Sequence, residues 1–443
     1  MKFTKMSLVA ALLIGSSAFA IDNVKVSGDA KLYYSTDDAT TSPAHGATTQ
    51  DMFSAGTSAG QAALGLGITA DLTKNVSAGV HTTVLSTLGL QGQLVNNVWE
   101  GTNGTTDSWI VDEAWIAGTI GKTTGKIGRM ELDTPLVFTE NWSIAKNTFE
   151  AAVLINQDIP DTTLVGAYVG GSNGNSGINT AYGHGNATPA VGIANRVQTI
   201  SNQSTFSQFY NGAYAVGAIN NSFKPLTVQA WYYDAPQYVN AYWLQADLDA
   251  NSLGVNGLTA GAQYTYISYN KSAVLPIAKD ANNDAYAFKL GYEMKDLVAV
   301  SAAYSQTGTE TASSLSLGAG QNLATAGVPG SDTAQSKLYT EAWWNYGYVT
   351  RADTDAWNVT VTSPVQGMFD LGLYYTSTTT SDNGVANTPD VDMDEFTVTA
   401  GKDFGPLNAT LAYIYTNADD QNVDANGNGQ DYNTVQAYLT YNF

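Results

Sequence analysis

The sequence predicts an all-β protein: an 18-stranded antiparallel transmembrane β-barrel. Three observations carry that reading. The final stretch alternates, with Val435, Ala437, Leu439, Tyr441 and Phe443 apolar and most residues between them polar. A period of two gives a strand one apolar and one polar face. Charged residues make up only 13% of the chain, well under the ~25% of soluble domains. Finally, alternating segments of about ten residues recur along the chain, as a tilted membrane strand requires.

The opening residues agree. Lys2 and Lys5 flank the start of an apolar run, Met6 to Ile14, and Ala18-Phe19-Ala20 is a small-x-small site. This order describes an export signal over 1–20, with the barrel domain expected over 21–443. The apolar run is too short for a spanning helix, and no later segment approaches ~18 consecutive apolar residues. Cys is absent, so no disulfide framework holds the long connections. The net charge of -21 argues against nucleic acid as a partner, because that needs a basic face. It fits a polar lumen and acidic loops that attract cations.

Taken in order, the alternating segments fall near 22–34, 60–72, 75–88, 108–120, 122–131, 148–157, 161–169, 206–219, 225–234, 239–249, 257–269, 284–294, 297–308, 355–363, 367–377, 391–402, 405–417 and 432–443. Short, turn-like links such as Gly121-Lys122-Thr123-Thr124 and Lys295-Asp296 alternate with long polar ones such as 170–205 and 309–354. Short periplasmic turns and long outer loops are the barrel layout, and an even strand count leaves both termini on the periplasmic side. Seven of the nine outward-running strands place Tyr on the apolar face near the outer end: Tyr34, Tyr168, Tyr232, Tyr264 with Tyr266, Tyr304, Tyr375, and Tyr413 with Tyr415. A ring of Tyr at one height is an interfacial girdle, since the ring favours the headgroup zone and the hydroxyl favours water.

Enzyme signatures fail. Gly121-Lys122-Thr123 resembles the end of a phosphate loop, but the first Gly of that motif would be Ile116, so the run reads as a turn. The three His (His45, His81, His184) lack metal-ligand spacing. His81 lies mid-strand on the polar face, where it lines a lumen. No nucleophile and base are placed together, so the chain reads as a non-enzyme.

The densest charge and aromatic content falls over 126–155, from Lys126 and Arg129 through Glu131, Asp133, Glu140 and Lys146 to Glu150. Gly128-Arg129, then Leu132-Asp133-Thr134-Pro135-Leu136, then Asn147-Thr148-Phe149-Glu150-Ala151, resembles the strand and third loop of OprD-like porins. It also resembles the related major outer-membrane porins of epsilonproteobacteria. The resemblance implies an eighteen-stranded barrel with an inward-folded third loop that narrows the pore, and a homotrimer in the bacterial outer membrane. It implies acidic constriction residues at Glu131, Asp133, Glu140 and Glu150 facing a basic wall at Lys126 and Arg129. Strict alternation sets Lys126 and Arg129 on opposite faces, so a bulge or an early strand end is expected there. The chain has only three Arg, at 129, 196 and 351. A long Arg ladder is therefore absent, which favours a general, cation-preferring pore over a carboxylate channel.

Two further sites emerge. In the seventh long loop, Tyr339, Trp343-Trp344, Tyr346 and Tyr348 precede Arg351. Folding back into the mouth buries these rings and leaves Glu341 and Arg351 lining the vestibule. Asp424, Asn426 and Asn428 offer alternate oxygen ligands for calcium before Gly429, but Val435 stands where an EF-hand has its bidentate Glu. The sequence thus predicts passive diffusion of small hydrophilic solutes and ions by size exclusion tuned by lumen charge. The lipid bilayer and those solutes are its partners. A channel selective for small carboxylates and a non-conducting surface adhesin are the alternatives.

Overall fold

The computed structural model describes residues 22–39, 51–90, 93–95, 108–141, 144–173, 207–236, 238–270, 280–309, 311–312, 315–316, 318–324, 334–365, 367–381, 391–418, 422 and 429–443. The signal at 1–20 and most of the loop at 170–205 lie outside these residues.

Eighteen strands form the wall. They are β1 (Asp22–Asp37), β2 (Ser58–Thr73), β3 (Val76–Ser86), β4 (Ser108–Ile120), β5 (Thr123–Met130), β6 (Phe149–Asn156), β7 (Thr162–Ser172), β8 (Ser207–Asn220), β9 (Leu226–Ala235), β10 (Val239–Asp249), β11 (Leu258–Tyr269), β12 (Ala281–Met294), β13 (Val298–Thr307), β16 (Thr354–Val365), β17 (Phe369–Thr380), β18 (Val391–Phe404), β19 (Leu407–Ala418) and β20 (Tyr432–Asn442). The remaining two, β14 (Thr311–Ala312) and β15 (Leu315–Ser316), form a short hairpin in the connection after β13. Each wall strand pairs antiparallel with its neighbours in chain order, and β1 also pairs with β20, with Leu32 opposite Leu439. The ring is therefore closed and has no free edge. Gly28 and Phe443 complete the seam by exchanging backbone hydrogen bonds of 2.8 and 2.9 Å.

The wall is apolar outside and polar inside. Leu64, Val84, Ile116, Ile127, Leu154, Val216, Leu244, Leu290, Val359 and Leu411 are exposed on its outer surface, while Gln61, Thr83, Gln263, Thr265, Ser305, Asn358 and Gln436 are buried within. That inversion is what a lipid exterior and an aqueous lumen demand. Among the described residues no helix is long and apolar enough to cross a membrane. The expected turn at Gly121 is present, and its φ of +61° suits a residue without a Cβ.

The Tyr girdle is fuller than the outward-running strands alone provide. Inward-running strands fill its gaps: Tyr214, Tyr242 and Trp357 stand 5.5, 5.1 and 4.6 Å from Tyr168, Tyr232 and Tyr304. At the same rim the hydroxyls of Tyr375 and Tyr413 donate to Asp394 and Asn433 at 2.8 and 2.6 Å. Several strands also run past their predicted ends. β17 continues to Thr380 because Thr376 to Thr380 keep pairing with β18 beyond the apolar band. Hydrophobic alternation marks the lipid-spanning part of a strand only, whereas backbone pairing extends further.

Candidate functional site

Two connections turn into the barrel. The third loop, 131–148, begins as a tight hairpin. Asp133 and Phe138 form an antiparallel bridge, and the Thr139 N–H donates to Leu132 O at 2.7 Å. Its tip carries Leu136, which is 1% exposed and sits among Tyr233, Trp231 and Trp243 of β9 and β10. The Leu136 N–H donates to the Tyr233 hydroxyl at 3.3 Å. The returning limb sets Ile144 and Ala145 against Tyr33, Leu85 and Ile110 of β1, β3 and β4. The loop is thus pinned to well-separated parts of the wall, at roughly 1.5–3 kcal/mol for each large apolar side chain buried.

The seventh loop, 308–353, joins it. The Asn322 side chain accepts from the Phe138 N–H at 3.2 Å and donates to the Phe138 carbonyl at 2.8 Å, imitating a strand partner for the third loop. The Leu323 N–H donates to Leu136 O at 2.8 Å, and Lys337 forms an ion pair with Asp133. Further along, the Tyr339 hydroxyl donates to Asp247 of β10 at 2.5 Å, and Thr340 meets Ser305 of β13 at 2.5 Å. Tyr346 and Tyr348 are buried, and the Arg351 guanidinium lies 3.8 Å over the Tyr348 ring. Of the rings the sequence expected to be covered, Tyr346 and Tyr348 are buried, whereas Tyr339, Trp343 and Trp344 are half-buried.

Charge is concentrated where β3, β4 and the third loop meet. The register slips between His81 and Thr82, so β4 bulges and turns Asp112 and Glu113 to the same side. Asp112 accepts from Thr83 at 2.7 Å and contacts His81 Nδ1 at 2.7 Å, while His81 Nε2 lies 3.7 Å from Asp29. Glu113 accepts from Trp115 Nε1 at 3.1 Å and from Lys146 at 2.7 Å, and Lys146 also pairs with Glu131. Burial alone lowers the pKa of Lys146, but its bonds to Glu113 and Glu131 outweigh burial and hold it above the usual lysine range. Glu341 is half-buried among the loops. Burial, with the Glu140 charge nearby, pushes its carboxyl up to about 8 against the pull of the Ser336 N–H and Lys337.

Solved structures of outer-membrane channels share this architecture. OccAB1 of Acinetobacter baumannii matches with a TM-score of 0.67 at 11% identity, covering 95% of this chain and 97% of that one. OccK8 (OprE) of Pseudomonas aeruginosa matches at 0.66 and 14%, covering 96% and 99%. OpdK of the same organism, solved with vanillate, matches at 0.65 and 13%, covering 95% and 98%. The fold is that of the OprD-type channels. No family model and no curated protein matches the sequence. The likeness is therefore one of fold.

The residues picked out by the OprD-like resemblance do not all meet. Lys126 lies on the lumen side of β5, its ammonium 4.2 Å from the Trp115 ring. β5 runs in regular register through Arg129, so no bulge turns Arg129 inward. Arg129 shares the outer face of Ile127 and pairs with Glu150 at 2.9 Å. These two form a wall ion pair instead of joining Lys126. Glu131 and Asp133 are each held by a lysine from a loop, Glu140 is buried with its N–H donating to Asn147 at 2.8 Å, and Arg351 closes the seventh loop. Asp424, Asn426 and Asn428 lie outside the described residues, as do His45 and His184. Sequence reasoning missed Asp112, Glu113, Lys146 as a pairing partner, and Glu395 of β18. The adjacent acids Asp112-Glu113 within an otherwise alternating strand were the available signal for a bulge.

Proposed function

We infer that the chain is an outer-membrane porin, passing small hydrophilic solutes and ions by passive diffusion with a preference for cations. The observation that carries this is the pairing of an apolar outer band with a charged lumen crossed by two inward loops. Size exclusion follows from the loops, and selectivity from the lumen charge. Glu131, Asp133, Glu140 and Glu113 place four acidic side chains in that region, with Lys126, Lys146, Lys337 and Arg351 nearby, and Glu341 adds a fifth charge once it ionises at about 8. In a narrow passage such charge acts over the whole width available to an ion.

The test is a planar bilayer with a salt gradient. Open channels whose reversal potential favours the cation support the reading, and absence of conductance turns it toward an adhesin. A carboxylate-selective channel is the second reading. It is favoured by Lys126 and Lys289, which among the described residues lie against the rings of Trp115 and Tyr339 and form no ion pair. OpdK, solved with vanillate, is the neighbour that suggests it. An anion preference would select this second reading. A trimeric state, kinship with the epsilonproteobacterial porins and calcium at Asp424, Asn426 and Asn428 belong to the same proposal and rest on the sequence.

A further inference from the structure

We propose that Glu395 is the anchor that keeps the seventh loop inside the lumen and, through Trp344, positions the third loop as well. Glu395 projects from the inner face of β18 and is 1% exposed. Its carboxylate accepts from the Trp344 N–H at 3.1 Å, from the Asn345 N–H at 2.7 Å, and from Asn345 Nδ2 at 2.9 Å. The hydroxyl of Thr397 adds a bond at 3.3 Å. Asn345 Nδ2 also donates to Thr416 of β19 at 3.0 Å, so one loop residue ties two strands.

Among the described residues the hydrogen-bond partners of this carboxylate are neutral donors, and all but Thr397 belong to the seventh loop. A buried carboxylate is costly unless its lone pairs are occupied. In the docked state these bonds offset the cost of burying the carboxyl, so loss of either partner weakens docking, whereas withdrawal of the loop returns the group to lumen water. Immediately beside the anchor, Trp344 packs against the cluster containing Ile144 and Ala145 of the third loop, with Tyr33 and Tyr438 of the wall. The docked seventh loop thus supplies one side of the seat in which the third loop rests. Glu395 acts through these segments, so it is a positioning residue for the constriction. This role rests on the porin reading for its functional meaning, but its structural content can be measured separately.

The absence of native Cys allows a clean probe. Ala342 precedes the anchored segment and is 4% exposed. In a folded Ala342→Cys barrel, a water-soluble maleimide should react slowly. Adding Glu395→Gln should speed labelling about tenfold, since local opening is what admits the reagent. Asn345→Ala should do the same from the loop side while leaving the wall intact, and it carries the test if Glu395→Gln fails to assemble. Single-channel conductance should rise in both variants. Unchanged labelling in both variants would overturn the proposal. So would a shift of reversal potential in Glu395→Gln with no change in labelling, because Glu395 would then be only a lumen charge. A wild-type barrel that does not conduct would sink the porin reading, while the labelling rates still decide the anchor.

Discussion

Lys146 is a single cation held between two carboxylates, and its sign decides what the ion path sees. With Lys146 present, Glu113 and Glu131 share one positive charge, so the three groups carry one net negative charge instead of two. Its pKa is raised, so the favourable pairing is fully present below the unfolded value of ~10.4 and is lost only as pH rises beyond it. The pairing should therefore be constant across neutral pH. Lys146→Met should uncover two carboxylates and increase the cation preference, read as a shift of reversal potential in a salt gradient. Lys146→Arg should keep the wild-type value. If the Met variant behaves as wild type, Glu113 and Glu131 do not face the ion path. This residue also marks the limit of the sequence. Its charge was visible in the third-loop run, but its partner Glu113 reaches the lumen through a one-residue bulge in β4. Nothing in the local residue pattern specifies which register a bulged strand adopts against its neighbour.

At the scale of the element, the seventh loop carries a pH-sensitive group. Glu341 faces Glu140 of the third loop and Lys337 of its own loop. Asn358 of β16 contributes a side-chain donor to the Glu341 carbonyl at 3.4 Å. Burial raises the carboxyl to about 8, so the group is mostly neutral at pH 6. A free carboxyl ionises near ~4.3. The docked loop is therefore favoured at low pH, and that advantage is lost as pH rises from about 4 to about 8. Cation preference should rise between about pH 7 and pH 9 as this charge appears, and Glu341→Gln should flatten the profile. A profile in Glu341→Gln that matches wild type would assign the titration elsewhere. The strands were legible because lipid on one side and water on the other impose a period of two on every segment. The loops were legible only in composition. That Trp343 to Tyr348 must be covered followed from their rings, but that Asn322 would clasp Phe138 across nearly two hundred residues did not.

For the whole molecule, the governing feature is the outer band. Leu439 of β20 faces outward beside Leu32 and Ala409 on the two flanking strands. Leu439→Arg should weaken assembly by about 2–4 kcal/mol if the position lies at mid-bilayer, and less toward either interface. Heat-modifiable gel migration reports the folded fraction, and normal folding of the variant would mean that this face does not meet lipid. Ala437 shares the same face but is smaller and less exposed, so Ala437→Ser should be tolerated.

The seam between Gly28 and Phe443 has a kinetic consequence. A Cβ on Gly28 would come within 2.6 Å of the Gly65 carbonyl and 2.5 Å of the Phe443 ring, so that ring occupies the space a side chain would need. The contact joins segments separated by almost the entire sequence, and closing so long a loop is slow compared with forming any hairpin in between. Until it closes, β1 and β20 present unpaired edges that can recruit strands from other chains. Gly28→Val should therefore strain the finished seam and lengthen the lifetime of the open sheet, read as more aggregate during refolding into detergent and a smaller folded fraction on a heat-modifiable gel.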